Sequence, residues 1–250
     1  MEVHVGDVRN PDKPSKTEIL FVGAPRTLYT TPETFDNINL EPIRLDDNCF
    51  LPIVDQFCYL GTILSRNCSD EADVNNRIRK ASNAFGALRK SILSNSHISL
   101  SVKSSVYEGL ILPILLYGSE SWCLTEKLFN LLRVFHRRCV RSMCGVTMKH
   151  VFELRLSNEE LLNKLNLSSI DSYVYKRQLR WLGHVTRMKY DRLPRKMLSS
   201  WVYSKRPKGA PEFTYGRGTY KCLKKCEIDK SNWFCFALDR MKWNELIANV

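Results

Sequence analysis

The sequence predicts an α+β chain, mainly α: a small N-terminal β element, then a three-helix module, then a basic helical C-terminal region. Three observations carry that prediction. Apolar residues alternate at a period of two only near the start of the 250-residue chain. From residue 70 onward they recur every three or four positions, as one face of a helix requires. Basic residues then crowd the later part: residues 1 to 75 hold six Lys and Arg against thirteen Asp and Glu, whereas 76 to 250 hold 32 against 13.

The β element spans residues 1–68. "KTEILFVG" is a short apolar run closed by Gly23, and residues 24 to 48, rich in Pro, Asn and Asp, predict a loop. "CFLPIVDQFCYLGTIL" alternates aromatic and β-branched residues around Asp55 and Gly61, which suits two strands joined by a tight turn. The helical module covers 69–150. Val74, Ile78, Ala81, Phe85, Leu88 and Ile92 form one stripe, capped by Ser69 or Asp70. Val102, Val106, Leu110, Ile114 and Tyr117 form a second, which Pro113 should kink because proline lacks a backbone donor. Gly118 ends it. Thr125 caps a third helix with Leu128, Leu132, Phe135, Cys139 and Met143 inward and Arg133, Arg137, Arg138 and Arg141 on its polar flank, up to Gly145.

Residues 151–200 form the basic region. Ser157 and Glu160 have capping-box spacing, and a longer basic helix follows, capped by Ser168 or Ser169. Short helix, turn, basic helix is the order of a helix-turn-helix, whose second helix enters a major groove. In 201–250, "SKRPKGAPEFTYGRG" predicts a linker, and Ser231 caps a last amphipathic helix through Trp233, Ala237, Arg240, Trp243 and Ile247.

Composition bounds the function. No apolar run is long enough to cross a bilayer, the first residues lack a secretory pattern, and nine cysteines then read as thiols of a nuclear or cytoplasmic protein. "KRPK" at 205–208 is a short basic run of the kind used for nuclear import. Residues 173 to 225 carry 15 Lys and Arg against only Asp191 and Glu212, interleaved with aromatics such as Trp181, Tyr190, Trp201 and Tyr203. Such a field attracts polyanions, and its rings can stack on bases. DNA or RNA is the expected partner, bound without base specificity; a protein partner is the alternative, and a membrane is not expected. The contact candidates are Arg177, Arg180, His184, Arg187, Lys189, Arg192, Arg195 and Lys196, with Arg180 and Arg187 expected to set the salt dependence. His184 has mostly cations around it, so a binding role suits it better than acid–base catalysis.

A metal site would need four suitable ligands. His136, Cys139, Cys144 and His150 give a His-x2-Cys-x4-Cys-x5-His series, which reads equally as helix core, since buried cysteine is ordinary packing material. Asp46 and Asp47 are adjacent but sit in a predicted loop with no third carboxylate. No Gly-rich phosphate loop and no nucleophile–base pairing is present.

In order along the chain, "SKTEILF", "FCYLGTILS", "NRIRKASNAFGALRK", "LLYGSESW", "FHRRCVRSMCGV", "RQLRWLGHVTRM" and "ALDRMKW" resemble the C-terminal part of the reverse transcriptase of non-LTR (LINE-type) retrotransposons. The resemblance implies that Lys16 and Thr17 close the palm near the incoming nucleotide. It implies that Tyr59, Leu60 and Gly61 form the primer grip, that the three helices are a thumb, and that Trp181, Gly183 and His184 belong to the linker after it. The family's Ala-Asp-Asp sequence is absent, and Asp46 and Asp47 lie on the wrong side of the Lys-Thr pair to replace it. Two-metal phosphoryl transfer needs such carboxylates, so the chain is expected to be a noncatalytic fragment without a cofactor, magnesium belonging only to the full-length enzyme.

Overall fold

The computed structural model describes residues 4–5, 18–20, 43–46, 49–199 and 215–250. Lys16, Thr17, Asp47, Trp201, Tyr203 and the 205–208 basic run lie outside them. The fold is α+β and mainly helical, in two compact units, Met1–Asn76 and Arg77–Val250.

The first unit holds three antiparallel pairs: β1 (His4–Val5) with β2 (Ile19–Leu20), β3 (Ile43–Asp46) with β4 (Cys49–Leu51), and β5 (Gln56–Tyr59) with β6 (Thr62–Ser65). The β5–β6 turn is Leu60–Gly61, with φ of 47° and 83°. Two positive φ values in a two-residue loop match the twist of the flanking strands. Leu60, a residue that pays a steric cost in this region, stands 77% exposed there. Residues 43–46 are strand where a loop was expected, and Asp46 ends that strand opposite Cys49.

Helix α1 (Glu71–Leu88) begins in this unit. Ser69 Oγ accepts from Glu71 N at 3.2 Å, and the buried Asp73 accepts from Ile63 N at 3.0 Å. That bond ties the hairpin to the first turn of α1.

In the second unit α1 passes into a π turn (Arg89–Leu93). Next come α2 (Leu100–Val106), a π turn (Tyr107–Ile111), α3 (Leu112–Leu115), α4 (Glu126–Met143), α5 (Met148–Glu153), α6 (Asn158–Leu165), α7 (Ile170–Thr186), α8 (Leu193–Ser199), α9 (Tyr215–Lys225), α10 (Trp233–Leu238) and α11 (Arg240–Ala248). The face of α2–α3 differs from the expected stripe. Ser104, Tyr107, Ile111 and Leu115 are buried, whereas Val102, Leu110 and Tyr117 are exposed. Two causes combine. The π turn takes up the strain of Pro113 and shifts the register. Buried polar residues also point at helix ends, where Lys103 Nζ donates to Met143 O at 3.1 Å and Ser104 Oγ to Leu165 O at 2.6 Å. These are last-turn carbonyls of α4 and α6, which lack intrahelical partners and favour a cation or hydroxyl.

Helix α4 runs as the sequence predicts. Thr125 caps its start. At its end Gly145 adopts φ 67° while Val146 N reaches Arg141 O at 3.0 Å, closing the left-handed turn that stops a helix. Ser157 and Glu160 close the predicted box on α6, and Ser169 caps α7. Three features went unpredicted. Helix α5 is capped by Thr147. Helix α9 starts at Tyr215 inside the predicted linker, because Gly216 and Gly218 mask a pattern whose buried part is only Cys222 and Leu223. The last helix is two, broken at Asp239, whose carboxylate accepts from Met241 N and Lys242 N at 2.9 and 3.3 Å; Ser231 is not the cap. No described helix is long and apolar enough to cross a membrane.

Candidate nucleic-acid interface

Helix α7 is the hub of the second unit, packing against α4, α8, α9, α10 and α11. Its N-terminal half meets α4. The Asp171 carboxylate accepts Arg133 Nε at 3.0–3.1 Å and Nη2 at 2.6 Å. Between them lies a polar cluster: His136 Nδ1 is 2.8 Å from Tyr107 Oη, and Nε2 is 3.2 Å from Ser168 O. A carbonyl only accepts, so Nε2 carries the proton and Nδ1 takes one from the tyrosine. Tyr173 donates to Glu108 beside it. Burial, chiefly, pushes the His136 pKa down to about 4 and the Cys139 thiol up to about 12.

The His136–His150 metal series is therefore not gathered. His136 spends both nitrogens on Tyr107 and Ser168, Cys139 is a protonated core thiol, and His150 is exposed and accepts from Thr147 N at 3.5 Å as half of a helix cap. No group of three His, Cys, Asp or Glu placed to hold a cation exists among the described residues.

The C-terminal half of α7 meets α10 and α11. Trp243 Nε1 donates to Leu179 O at 2.9 Å, and its indole fills the space above Gly183, where a Cβ would come within 2.3 Å of Nε1. Leu179, Leu182, Leu223, Ala237 and Ile247 complete that core. Sequence reasoning missed this lock. Its signal was present: a glycine inside a helix costs about 1 kcal/mol relative to alanine, and a close approach is the usual compensation.

The lock divides the basic run. Arg177 is half-buried and donates to Leu116 O, the end of α3, at 3.2 Å. Arg187 Nη1 donates to Ala237 O, in the last turn of α10, at 2.6 Å. Arg195 lies 4.6 Å over the Phe234 ring. These three, Arg187 above all, hold helices together. Helix α7, the expected groove-reading helix, packs against five helices. Arg180, His184, Lys189, Arg192 and Lys196 are exposed. The side chains of Arg180, Lys189 and Arg192 meet no carboxylate among the described residues. The His184 ring leans on Trp181 at 5.6 Å. Tyr59, Leu60 and Gly61 form the exposed hairpin tip of the first unit.

Fold and surface together define a basic, mainly helical protein with uncompensated cations at one end of a packed hub helix. Over 209 residues, 82% of this chain and 72% of the relative's length, it is 26% identical to an uncharacterized transposon-derived protein of Caenorhabditis elegans. That likeness fits a transposon origin. No family model matches the chain, and no solved structure matches it.

Proposed function

We propose that the chain is a transposon-derived, noncatalytic nucleic-acid-binding protein, a counterpart of the primer grip, thumb and post-thumb linker of a non-LTR reverse transcriptase, working in the nucleus or cytoplasm. The observation that carries the reading is the exposed set Arg180, Lys189, Arg192 and Lys196, of which the first three have no acidic partner among the described residues. Affinity comes from phosphate neutralisation and falls with salt by about 0.9 log units per contact per log unit of salt on duplex DNA. The described residues gather no site for the two magnesium ions of a polymerase. Asp46 ends a strand opposite Cys49, and no cluster of three suitable ligands gathers among the described residues.

Fluorescence anisotropy of the purified chain against duplex DNA, single-stranded DNA and an RNA–DNA hybrid across a salt series tests this. Salt-steep binding supports it; no binding to any of the three at physiological salt overturns it. Primer extension with magnesium that Asp46→Asn or Asp47→Asn abolishes would overturn the noncatalytic part. A second reading, a protein-docking module, is favoured by the exposed Met148, Phe152 and Leu154 on and just after α5. Salt-insensitive association with a protein would favour it over the first.

A further inference from the structure

We infer that the exposed turn between α7 and α8 is a wedge that enters a duplex between neighbouring base pairs, so that this chain prefers a duplex already opened by a bulge to an unbroken one. The inference rests on the nucleic-acid reading above and narrows it.

Six residues in a row, Lys189 to Pro194, are exposed. Among them Tyr190 is 72% and Leu193 68% exposed, two large side chains that folding leaves in water three positions apart. The turn that carries them is closed by Arg192 N donating to Lys189 O at 3.1 Å, and α8 continues directly from it, Lys196 N donating to Arg192 O at 3.0 Å. Both flanks of the turn are fastened to α10. On one side Arg187 Nη1 donates to Ala237 O at 2.6 Å, and on the other the Arg195 guanidinium lies 4.6 Å over the Phe234 ring. The exposed turn is thereby held at both ends. Its charge is one-sided, because between Arg187 and Lys196 the one carboxylate, Asp191, stands against five Lys and Arg. Lys189 and Arg192, on the turn itself, have no carboxylate partner among the described residues.

Phosphate neutralisation uses the two cations and leaves Tyr190 and Leu193 without a role. A stable protein interface takes about 20–30 residues a side, and an exposed turn of six, three of them charged, is small for that. Opening a base step takes far less: one or two apolar side chains enter between the pairs while cations beside them hold the phosphates. Unstacking the step costs free energy, and a bulge is unstacked already, so the wedge enters it without that cost. A turn held at both ends also loses little freedom when it binds. The resulting preference is for broken stacking rather than for sequence.

The test measures anisotropy for a blunt duplex and for the same duplex with a central dinucleotide bulge, across a salt series, for wild type, Leu193→Ser and the double variant Tyr190→Ser/Leu193→Ser. Thermal melts check that these exposed substitutions leave the fold intact; Leu193→Ser decides alone if the double variant does not fold. Wild type is expected to bind the bulged duplex about tenfold or more tighter than the blunt one. Leu193→Ser should narrow that ratio and the double variant bring it within about twofold of unity, while the salt slope on the blunt duplex stays at the wild-type value, because the cations are untouched. A wild-type ratio near unity, or a ratio that neither variant moves, overturns the wedge and leaves the nucleic-acid reading standing. Variants that keep the ratio but lose a bound protein assign the turn to protein docking and overturn the wedge as well. Binding to neither duplex overturns both readings.

Discussion

The surroundings of His136 and of His184 differ in what their polar groups are occupied with. Around His136 the described polar groups are matched: Tyr107 and Ser168 take the imidazole, Glu108 takes Tyr173, and Asp171 takes Arg133. Around His184 the side chains of Arg180, Lys189 and Arg192 carry full charge with no acidic partner among the described residues. A buried polar group left unmatched costs its desolvation, so the first cluster is complete in itself and holds the fold. An exposed cation costs nothing alone and keeps its capacity for an anion. The same residue types do opposite work in the two places, and burial decides which.

The largest expected effect tests the packed side of that comparison. Trp243→Ala removes the indole that fills the space over Gly183 and should cost about 3–5 kcal/mol of unfolding free energy. Gly183→Ala, with its Cβ pressed to 2.3 Å from Trp243 Nε1, should cost about 1–3 kcal/mol by overpacking. Because both act on one contact, urea denaturation of the double variant should show less than the sum. Strict additivity would mean that the two residues do not share a lock.

Next in size is a pH effect that belongs to His136 and not to His184. Burial lowers the His136 pKa from 6.5 to about 4. Between those values the unfolded chain takes up a proton that the folded chain refuses, so stability is whole above pH 6.5 and is lost as pH falls toward 4. The loss is about 3 kcal/mol at its limit. Denaturation midpoints at pH 7 and pH 5 measure it. His136→Gln keeps an acceptor for Tyr107 and a donor for Ser168 but does not titrate, and it should flatten this part of the profile. An unchanged pH dependence in the variant would assign the loss to other groups.

Periodicity and caps made the helices legible: the stripe of α4, the Ser157–Glu160 box and the Leu60–Gly61 turn all follow from local spacing. What stayed hidden depended on partners far away in the chain. Lys103 and Ser104 look like surface residues until Met143 and Leu165 offer them helix-end carbonyls. Gly183 looks like a defect until Trp243, sixty residues on, lies over it. The basic run of 177–196 was legible as charge but not as roles, since nothing local tells Arg187, which reaches Ala237, from Arg180, which reaches solvent.

That pair gives the smallest effect and the sharpest separation. Arg187→Ala removes a charged donor from a helix-end carbonyl and should lower stability by about 2 kcal/mol, while the slope of log K against log salt stays near the wild-type value. Arg180→Ala removes an exposed cation and should change stability by less than about 0.5 kcal/mol, while the slope on duplex DNA falls by about 0.9. Melting curves and salt titrations on the same two preparations give all four numbers. If Arg187→Ala also flattens the salt slope, its guanidinium serves phosphate and Ala237 together, and the boundary between the two regions runs through a single side chain rather than between neighbours.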